Sequence, residues 1–397
     1  MNLHEEWAKL LQETGPGKMM TTAYDTAWIA RLVEIGEPIG DLALAWLREH
    51  QLPDGSWGAE QPLYYHDRVI CTLAAISALA RRGRPGDRER LDRAEAALEL
   101  MASRLKEDPA GETIGFELIV PTLFQEAKAL GALHSEGMEV LKSLAPLRSA
   151  KLASLPNGMI NRFVTVAFSS EMAGNDGKDL LDIDRLQEQD GSISYSPSAT
   201  AYFALHVRRR EPGALAYLYR VAADGVAPNV APFDTFEPAW VLWNLKLASG
   251  ISDETLQLCQ SHLGFLKKEW VTGKGIGFAA DYAAKDSDVT SLVYDVLSGF
   301  GISVDLDAVL RYEQPFYFRC YDLESNPSVS ANIHVLGALR RAGFEKTHAS
   351  VQKVLNFLTQ VRTNQTFWFD KWQASPYYAT SHAIISCSGY ADDVITN

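Results

Sequence analysis

Apolar residues recur at helical spacing along most of this chain, whereas strand-like alternation is scarce. Val69, Leu73, Ile76 and Ala80 follow one another by four, three and four positions, which places a single apolar stripe along a helix. Short connections rich in glycine, proline and aspartate, such as residues 52–55, separate such runs. Because amphipathic helices joined by short loops bury their stripes against one another, the pattern predicts an all-α fold.

The charge balance argues against two classes of partner. The 397 residues include 37 Lys+Arg and 50 Asp+Glu, which gives a formal net charge of −13. A nucleic-acid binder needs a basic face for phosphates, and a polybasic membrane anchor needs the same charge. We found no apolar run long enough to cross a bilayer, and the acidic N-terminal residues 1–14 do not resemble a signal peptide. We therefore expect no nucleic acid and no membrane span.

The cysteines indicate a reducing compartment. Cys71, Cys259, Cys320 and Cys387 are widely spaced and form no CxxC pair. Such isolated cysteines are typical of reduced thiols in a protein core. We therefore expect a cytoplasmic protein.

A short pattern occurs twice. Residues 51–57 and 187–193 both contain Q-x-x-D-G-S, at positions 136 residues apart. An Asp-Gly turn between a glutamine and the start of the next helix can tie adjacent helices together. We interpret the two copies as structural clasps, and they fit barrels of paired helices.

Two carboxyl groups precede a further amphipathic stretch. Asp286 and Asp288 flank Ser287 shortly before the helical pattern that begins at Leu292. One interpretation is a helix N-terminal cap, in which the side chains accept hydrogen bonds from free backbone N–H groups. The alternative is a proton donor, because a carboxyl group in an apolar cavity near a like charge has a raised pKa and stays protonated.

Six motifs occur in a defined order along the chain. They are A-Y-D-T-A-W at 23–28, Q-L-P-D-G-S-W-G at 51–58, Y-H-D-R at 65–68, I-G-F-E at 114–117, S-P-S-A-T-A at 196–201, and D-K-W with S-P-Y-Y at 370–378. In this order and spacing the chain resembles the class II diterpene cyclases of the copalyl diphosphate synthase type, over nearly its whole length.

The resemblance implies an architecture and a reaction. The fold would comprise two (α/α) barrel domains, a β domain at 1–19 and 206–397 and a γ domain at 20–205, with the substrate between them. Enzymes of this family protonate the terminal alkene of geranylgeranyl diphosphate and keep the diphosphate. The carbocation then closes a bicycle of copalyl, halimadienyl or kolavenyl type. This chemistry needs a neutral acid, an aromatic cavity and a terminating base.

The resemblance also assigns catalytic roles. Asp288 matches the proton donor of the family's D-x-D-D-T-A motif and Asp286 matches its first aspartate. Val289 replaces its last aspartate, and we expect this loss to remove one hydrogen-bond partner of the acid. Asn229 matches an asparagine that holds a deprotonating water in the plant ent-type enzymes. Its histidine partner is replaced by Phe168, so a different terminating base is implied. A turn residue is the alternative interpretation of Asn229.

Further residues match positions near the diphosphate and the prenyl chain. Glu107, Asp108 and Glu112 occupy the place of an acidic Mg²⁺-binding stretch, and a solvated loop is the alternative interpretation. The remaining substrate-binding candidates are Lys151 and Lys353 for the diphosphate, and Trp240 and Phe278, with Phe168, for the cavity.

The sequence leaves several alternatives open. A farnesyl diphosphate cyclase of drimenyl type and a catalytically silent prenyl-diphosphate-binding barrel are the rival functions. Relatives extend beyond Tyr390, so we expect the chain ending at Asn397 to be C-terminally truncated. The sequence does not determine the oligomeric state and leaves a homodimer open.

Overall fold

The computed structural model describes residues 3–108, 115–134, 138–322, 324, 326–373 and 375–396. Its regular structure consists of α-helices with short 3-10 segments. Within these residues the β-type pairing is confined to isolated bridges. The predicted all-α fold is therefore confirmed.

The chain forms two compact units. The split unit consists of residues 1–17 and 232–397, and the inserted unit consists of residues 18–231. The split unit begins with α1 (Leu3–Glu13). The inserted unit contains α2 (Ala23–Ala30), α3 (Ile39–Glu49), α4 (Tyr65–Arg82), α5 (Arg88–Arg104), α6 (Phe116–Ala129), α7 (Glu139–Lys142), α8 (Leu144–Ser154), α9 (Pro197–Tyr202) and α10 (Pro212–Val221). The split unit continues with α11 (Phe236–Leu247), α12 (Asp253–Glu269), α13 (Ser287–Gly299), α14 (Asp307–Leu310), α15 (Val329–Arg341), α16 (Ala349–Gln360), α17 (Pro376–Cys387) and α18 (Asp392–Thr396).

In the split unit, α13 and α15 are the most deeply buried helices. Helices α11, α13, α15 and α17 pack against one another in succession, while α12 and α16 pack on them. Residues 287–297 of α13 are all buried. Because α13 is covered on all sides, any polar group at its start must find its partners within the protein.

The inserted unit repeats the arrangement. Helix α2 packs against α4 and α9, and α4 packs against α6, while α3 and α5 cover them. All eight residues of α2 are buried. Each unit has its own hydrophobic core.

The boundary of the inserted unit differs from the expected one. The expected γ domain ends at 205, whereas residues 206–231 belong to the inserted unit. Helix α10 packs on α9, and the Tyr217 hydroxyl donates to the carbonyls of Tyr195 and Ala231 at 2.8 and 2.7 Å. These buried contacts hold the segment to the inserted unit because they satisfy backbone carbonyls that water cannot reach.

Both Q-x-x-D-G-S sequences tie helices together, as predicted. The Gln51 amide donates to the carbonyls of Gly55 and Arg90 at 2.8 and 2.9 Å. The Gln187 amide donates to the carbonyl of Gly191 at 2.8 Å and to the carboxylate of Glu211, the N-cap of α10, at 2.6 Å. Gly55 has φ +93°, and a Cβ there would lie 2.5 Å from the Arg93 carbonyl oxygen, so only glycine fits the turn.

All four cysteines are buried and free, as expected for core thiols. Among the described helices, none combines the length and the apolar character that a membrane crossing requires.

Candidate active site

Asp286 caps helix α13. It has extended backbone angles, and its Oδ1 accepts a hydrogen bond from the Val289 N–H at 2.7 Å. Its Oδ2 is buried with no hydrogen-bond partner among the described residues. Burial, and then the neighbouring Asp288 carboxyl, raise the pKa of Asp286 well above its ordinary value. The capping interpretation therefore applies to Asp286, and burial favours the neutral form of its carboxyl group.

Asp288 lies two residues further on and has a different partner. Its Oδ1 is 2.6 Å from Nδ1 of His334, and Nε2 of His334 is 2.7 Å from Nδ1 of His382. The three side chains come from α13, α15 and α17 and are 6%, 3% and 7% exposed. The consecutive packing of these helices thus assembles a buried Asp–His–His row.

Val289 does not weaken this arrangement. Its side chain is buried in the core of the split unit, and its backbone N–H serves the Asp286 cap. We expected the loss of an aspartate at this position to remove a hydrogen-bond partner of Asp288. The partner is instead His334, which the sequence analysis did not identify.

Aromatic rings surround the two histidines. Trp240 meets the His334 ring edge-on at 5.5 Å, and its Nε1–H donates to the Tyr378 hydroxyl at 2.8 Å. Trp243 stacks on His382 at 4.6 Å with an interplanar angle of 22°. Burial, and then Asp288, raise the pKa of Tyr378 far above its ordinary value, so its hydroxyl is neutral.

A continuous row of rings begins at Trp240. Trp240 stacks on Phe236 at 3.5 Å, Phe236 on Phe233 at 4.2 Å, Phe233 meets Phe278 at 5.6 Å, and Phe278 meets Tyr282 at 4.3 Å. The structure therefore brings the two predicted aromatics, Trp240 and Phe278, into one row. Their π faces can stabilise positive charge.

An open apolar groove in the split unit shares one of these rings. It has a volume of about 370 Å³ and is lined by Trp7, Leu10 and Trp240 together with residues of α11. Trp240 therefore contacts both the groove and His334.

Asn229 lies in the inserted unit, in a second buried cluster. Its amide donates to Asp25 Oδ2 at 3.2 Å, and its backbone N–H donates to the Met20 carbonyl. Asp25 Oδ1 accepts from the Ser198 N–H at 3.1 Å. Burial raises the pKa of Asp25 to about 6, and the hydrogen bonds oppose that rise.

Phe168 is half-buried in the 3-10 segment Thr165–Ala173, which also carries Glu171. Glu171 Oε1 accepts from the Tyr24 hydroxyl at 2.6 Å, and Oε2 is buried without a partner among the described residues. Burial raises the pKa of Glu171 to about 7. Sequence reasoning missed Glu171. The available signal was Tyr24 in the A-Y-D-T-A-W motif, because a buried tyrosine hydroxyl needs a hydrogen-bond acceptor.

The predicted Mg²⁺ stretch does not form a ligand set. Glu107 is exposed and pairs with Arg104 at 2.9 Å. Asp108 is buried and accepts from the N–H groups of Tyr65 and His66 at 2.9 and 2.8 Å, and it lies 2.5 Å from the His66 ring. Asp108 thus caps α4 instead of facing a metal.

Glu112 lies outside the described residues. Within the described ranges we found no group of three or more potential metal ligands. Of the predicted ligands, Glu107 and Asp108 therefore do not fit a bound Mg²⁺ ion as they stand, because both carboxylates are engaged by other partners.

The two predicted diphosphate-binding lysines are both paired. Lys151 is exposed and its Nζ lies 2.5 Å from Glu117. Lys353 Nζ lies 2.6 Å from Glu313. Each ion pair would have to open before the lysine could bind a phosphate.

Comparisons with known proteins identify the family. The chain is 44% identical over 399 residues to a type B diterpene cyclase of Mycobacterium tuberculosis, covering 98% of this chain and 80% of that one. It is 30% identical to the ent-copalyl diphosphate synthase AN1 of Zea mays, covering 91% of this chain but only 44% of that one. No protein-family model matches the chain.

Solved structures agree. The ent-copalyl diphosphate synthase of Arabidopsis thaliana, in complex with an aza analogue of geranylgeranyl thiolodiphosphate, superposes with a TM-score of 0.79 at 27% identity, over 94% of this chain and 54% of that one. The ent-copalyl diphosphate synthase of Streptomyces platensis gives 0.74 at 26% identity, over 98% and 79%. The chain therefore belongs to the class II diterpene cyclase family, as its motifs predict.

Proposed function

We propose that this protein catalyses the protonation-initiated cyclisation of geranylgeranyl diphosphate to a bicyclic diphosphate. The observation that carries the proposal is the buried contact between Asp288 Oδ1 and His334 Nδ1. In this proposal the Nδ1–H of His334 donates to Oδ1 of Asp288. The other carboxyl oxygen, Oδ2, then carries the proton that is transferred. Donation of that proton needs a buried acid and a nearby site for an alkene.

In the proposed reaction, Asp288 protonates the terminal alkene and the ring row stabilises the resulting cation. In this row of aromatic rings, Trp240 also contacts His334. The row ends with Phe278 and Tyr282. The cation closes two rings and then loses a proton or takes up water. The diphosphate is retained throughout, because no step ionises it.

Two parts of the proposal concern termination and the diphosphate. We assign Asn229 to the terminating step, because its amide N–H holds Asp25 and its carbonyl oxygen can hold a water. Lys151 and Lys353 are assigned to the diphosphate after their ion pairs open. No step is derived through Mg²⁺, since Glu107 and Asp108 are engaged elsewhere.

The test compares Asp288→Asn with the unmodified protein on geranylgeranyl and farnesyl diphosphates in parallel. Products are treated with phosphatase and identified by mass spectrometry. Removing a general acid costs about 10²–10⁴-fold, so we expect the variant to lose turnover by that factor. The control Asp307→Asn changes an exposed carboxylate of the split unit and should keep full activity.

Each outcome is informative. Undiminished turnover by Asp288→Asn would refute the donor assignment. Conversion of farnesyl diphosphate alone would assign a drimenyl-type reaction, and no cyclic product from the unmodified protein would favour a silent prenyl-diphosphate-binding barrel. A cytoplasmic location is also part of the proposal and is supported by the four buried free thiols.

A further inference from the structure

His382 is a buried histidine that the proposed reaction does not yet use. It lies on α17, and its Nδ1 is 2.7 Å from Nε2 of His334, on the side of that ring opposite Asp288. Asp288 and His382 therefore contact the two nitrogens of one imidazole. The group on one nitrogen influences which nitrogen carries the proton.

The His382 ring is held in place from both sides. Trp243 stacks on it at 4.6 Å, and Tyr378 meets it at 4.3 Å with an interplanar angle of 33°. Trp243 is itself anchored, since its Nε1–H donates to Asp295 Oδ2 at 3.1 Å. A ring packed in this way keeps its Nδ1 directed at His334.

Only one neutral tautomer of His334 allows Asp288 to protonate the alkene. If Nδ1 of His334 carried a lone pair, the Asp288 proton would go to that nitrogen, because an imidazole is a far stronger base than an alkene. Productive transfer therefore requires an N–H at Nδ1 that donates to Asp288 Oδ1. In a neutral imidazole the other nitrogen, Nε2, must then accept a hydrogen bond. The group in position to donate it is His382.

His382 is suited to that task because it is neutral. Burial, the largest cause, lowers the pKa of His382 below its ordinary value and so favours the neutral ring. The titratable groups in contact with His382 are His334 and Tyr378, and the hydroxyl of Tyr378 is neutral. A neutral His382 has one N–H, which it can place on Nδ1.

We propose that His382 is a positioning residue whose Nδ1–H donates to His334 Nε2 and so keeps the His334 proton on Nδ1, facing Asp288. This inference rests on the proposed function. During transfer the alkene π electrons form a C–H bond with the Asp288 proton, and a carbocation is left on the substrate. The electrons of the broken O–H bond remain on Asp288, and His334 Nδ1–H stabilises the new carboxylate.

Two variants at one position test the inference by kinetics. His382→Phe keeps a ring against Trp243 but removes the hydrogen bond, and His382→Asn places an amide N–H where Nδ1 was. We expect kcat to fall about 10–100-fold in His382→Phe with KM unchanged, because a buried donor that fixes the acid is lost. We expect His382→Asn to recover most of that loss. The control is His348→Asn, at an exposed cap position of α16.

Full kcat in His382→Phe would overturn the inference. So would equal losses in the two variants with equally lowered melting temperatures, because that result would make His382 a packing residue only. If neither variant folds, the spectroscopic test below decides.

A second measurement needs no turnover. In ¹⁵N-histidine-labelled wild-type protein, nitrogen chemical shifts distinguish N–H from lone-pair nitrogens. Through-space contacts assign the two rings without a variant, because Trp240 lies against His334 and Trp243 stacks on His382. We expect N–H at Nδ1 of both His334 and His382, and a lone pair at Nε2 of His334. A proton on His334 Nε2 would refute the inference even if the protein cyclises its substrate. Loss of activity in wild type would refute the proposed function and leave the spectrum unaffected.

Discussion

The two units each contain a buried carboxyl cluster, and the partners of these carboxyl groups differ. In the split unit Asp288 lies 2.6 Å from an imidazole, His334. In the inserted unit Glu171 accepts from the Tyr24 hydroxyl, and Asp25 accepts from an amide and a backbone N–H. A neutral imidazole has one donor and one acceptor nitrogen, so a further residue such as His382 can set which nitrogen faces Asp288. Burial is therefore common to both clusters, and we propose that the imidazole partner is what distinguishes Asp288 as the acid of the reaction.

The largest expected effect comes from removing the imidazole. His334→Phe should lower kcat by about 10²–10⁴-fold with little change in KM, because Asp288 loses the donor on its Oδ1. The matched variant Tyr24→Phe removes one hydroxyl from the other cluster and should keep kcat within about threefold while lowering the free energy of unfolding by about 1–2 kcal/mol. Steady-state kinetics and urea unfolding check both. Equal losses of kcat would remove the distinction between the clusters.

The second prediction concerns the pH dependence of stability. The pKa of Glu171 is raised from 4.5 to about 7 by burial, so between these values the folded state binds a proton that the unfolded state has released. The free energy of unfolding should therefore fall as pH rises through this window, by about 3 kcal/mol in total. Asp25 acts with the same sign, up to about pH 6.

Glu171→Gln removes the titration while its amide oxygen can still accept from Tyr24. Urea unfolding from pH 5 to pH 8 should give a flatter curve for this variant than for wild type. Asp307→Asn serves as the control and should keep the wild-type slope. Parallel curves for wild type and Glu171→Gln would show that Glu171 titrates normally.

The third prediction separates capping from metal binding. Asp108→Asn should lower the free energy of unfolding by about 1–3 kcal/mol, because the buried N–H groups of Tyr65 and His66 lose a charged acceptor. Glu107→Gln, at an exposed ion pair, should change it by less than about 1 kcal/mol. Both values should be the same with EDTA and with Mg²⁺. A Mg²⁺-dependent rise in the melting temperature of wild type that both variants abolish would restore the metal-binding interpretation.

The last prediction concerns Asn229, where we expect little change in total turnover. Asn229→Ala removes one half-buried hydrogen bond to Asp25 and should lower the free energy of unfolding by about 1 kcal/mol. If Asn229 serves termination, the ratio of alkene to hydroxylated product should change while total turnover stays within about threefold. An unchanged product ratio, measured by mass spectrometry, would leave Asn229 with a structural role only.

The start of α13 shows which contacts can be predicted from the sequence and which cannot. An aspartate before an amphipathic stretch predicts a cap, and Asp286 is one. Nothing local to Asp288 indicates its partner, because His334 is 46 positions away and lies in an apolar helical pattern of its own. The resemblance to a family pointed to Asp288, and only the packing of α13 on α15 identified His334.

The helix clasps illustrate the same limit. The Q-x-x-D-G-S pattern predicted two of them. In the first, the Trp57 ring N–H donates to the Leu47 carbonyl, and the Trp57 backbone N–H donates to the Thr72 hydroxyl oxygen. Trp368 repeats this geometry with Leu358 and Thr380, but without the sequence pattern. The clasp geometry at Trp368 therefore forms without the Q-x-x-D-G-S residues from which the other two were predicted.

The amino-acid sequence by itself determined the all-α class, the Asp286 cap and the clasps, because periodicity, capping and turns depend on neighbours a few positions apart. Only the tertiary structure decided that Asp288 meets His334 and that Asp108 caps α4, 42 positions away from His66, instead of facing a metal. Those pairings depend on which helices pack together. Helix packing fixes them because a buried polar group must bond to whatever the neighbouring helix presents.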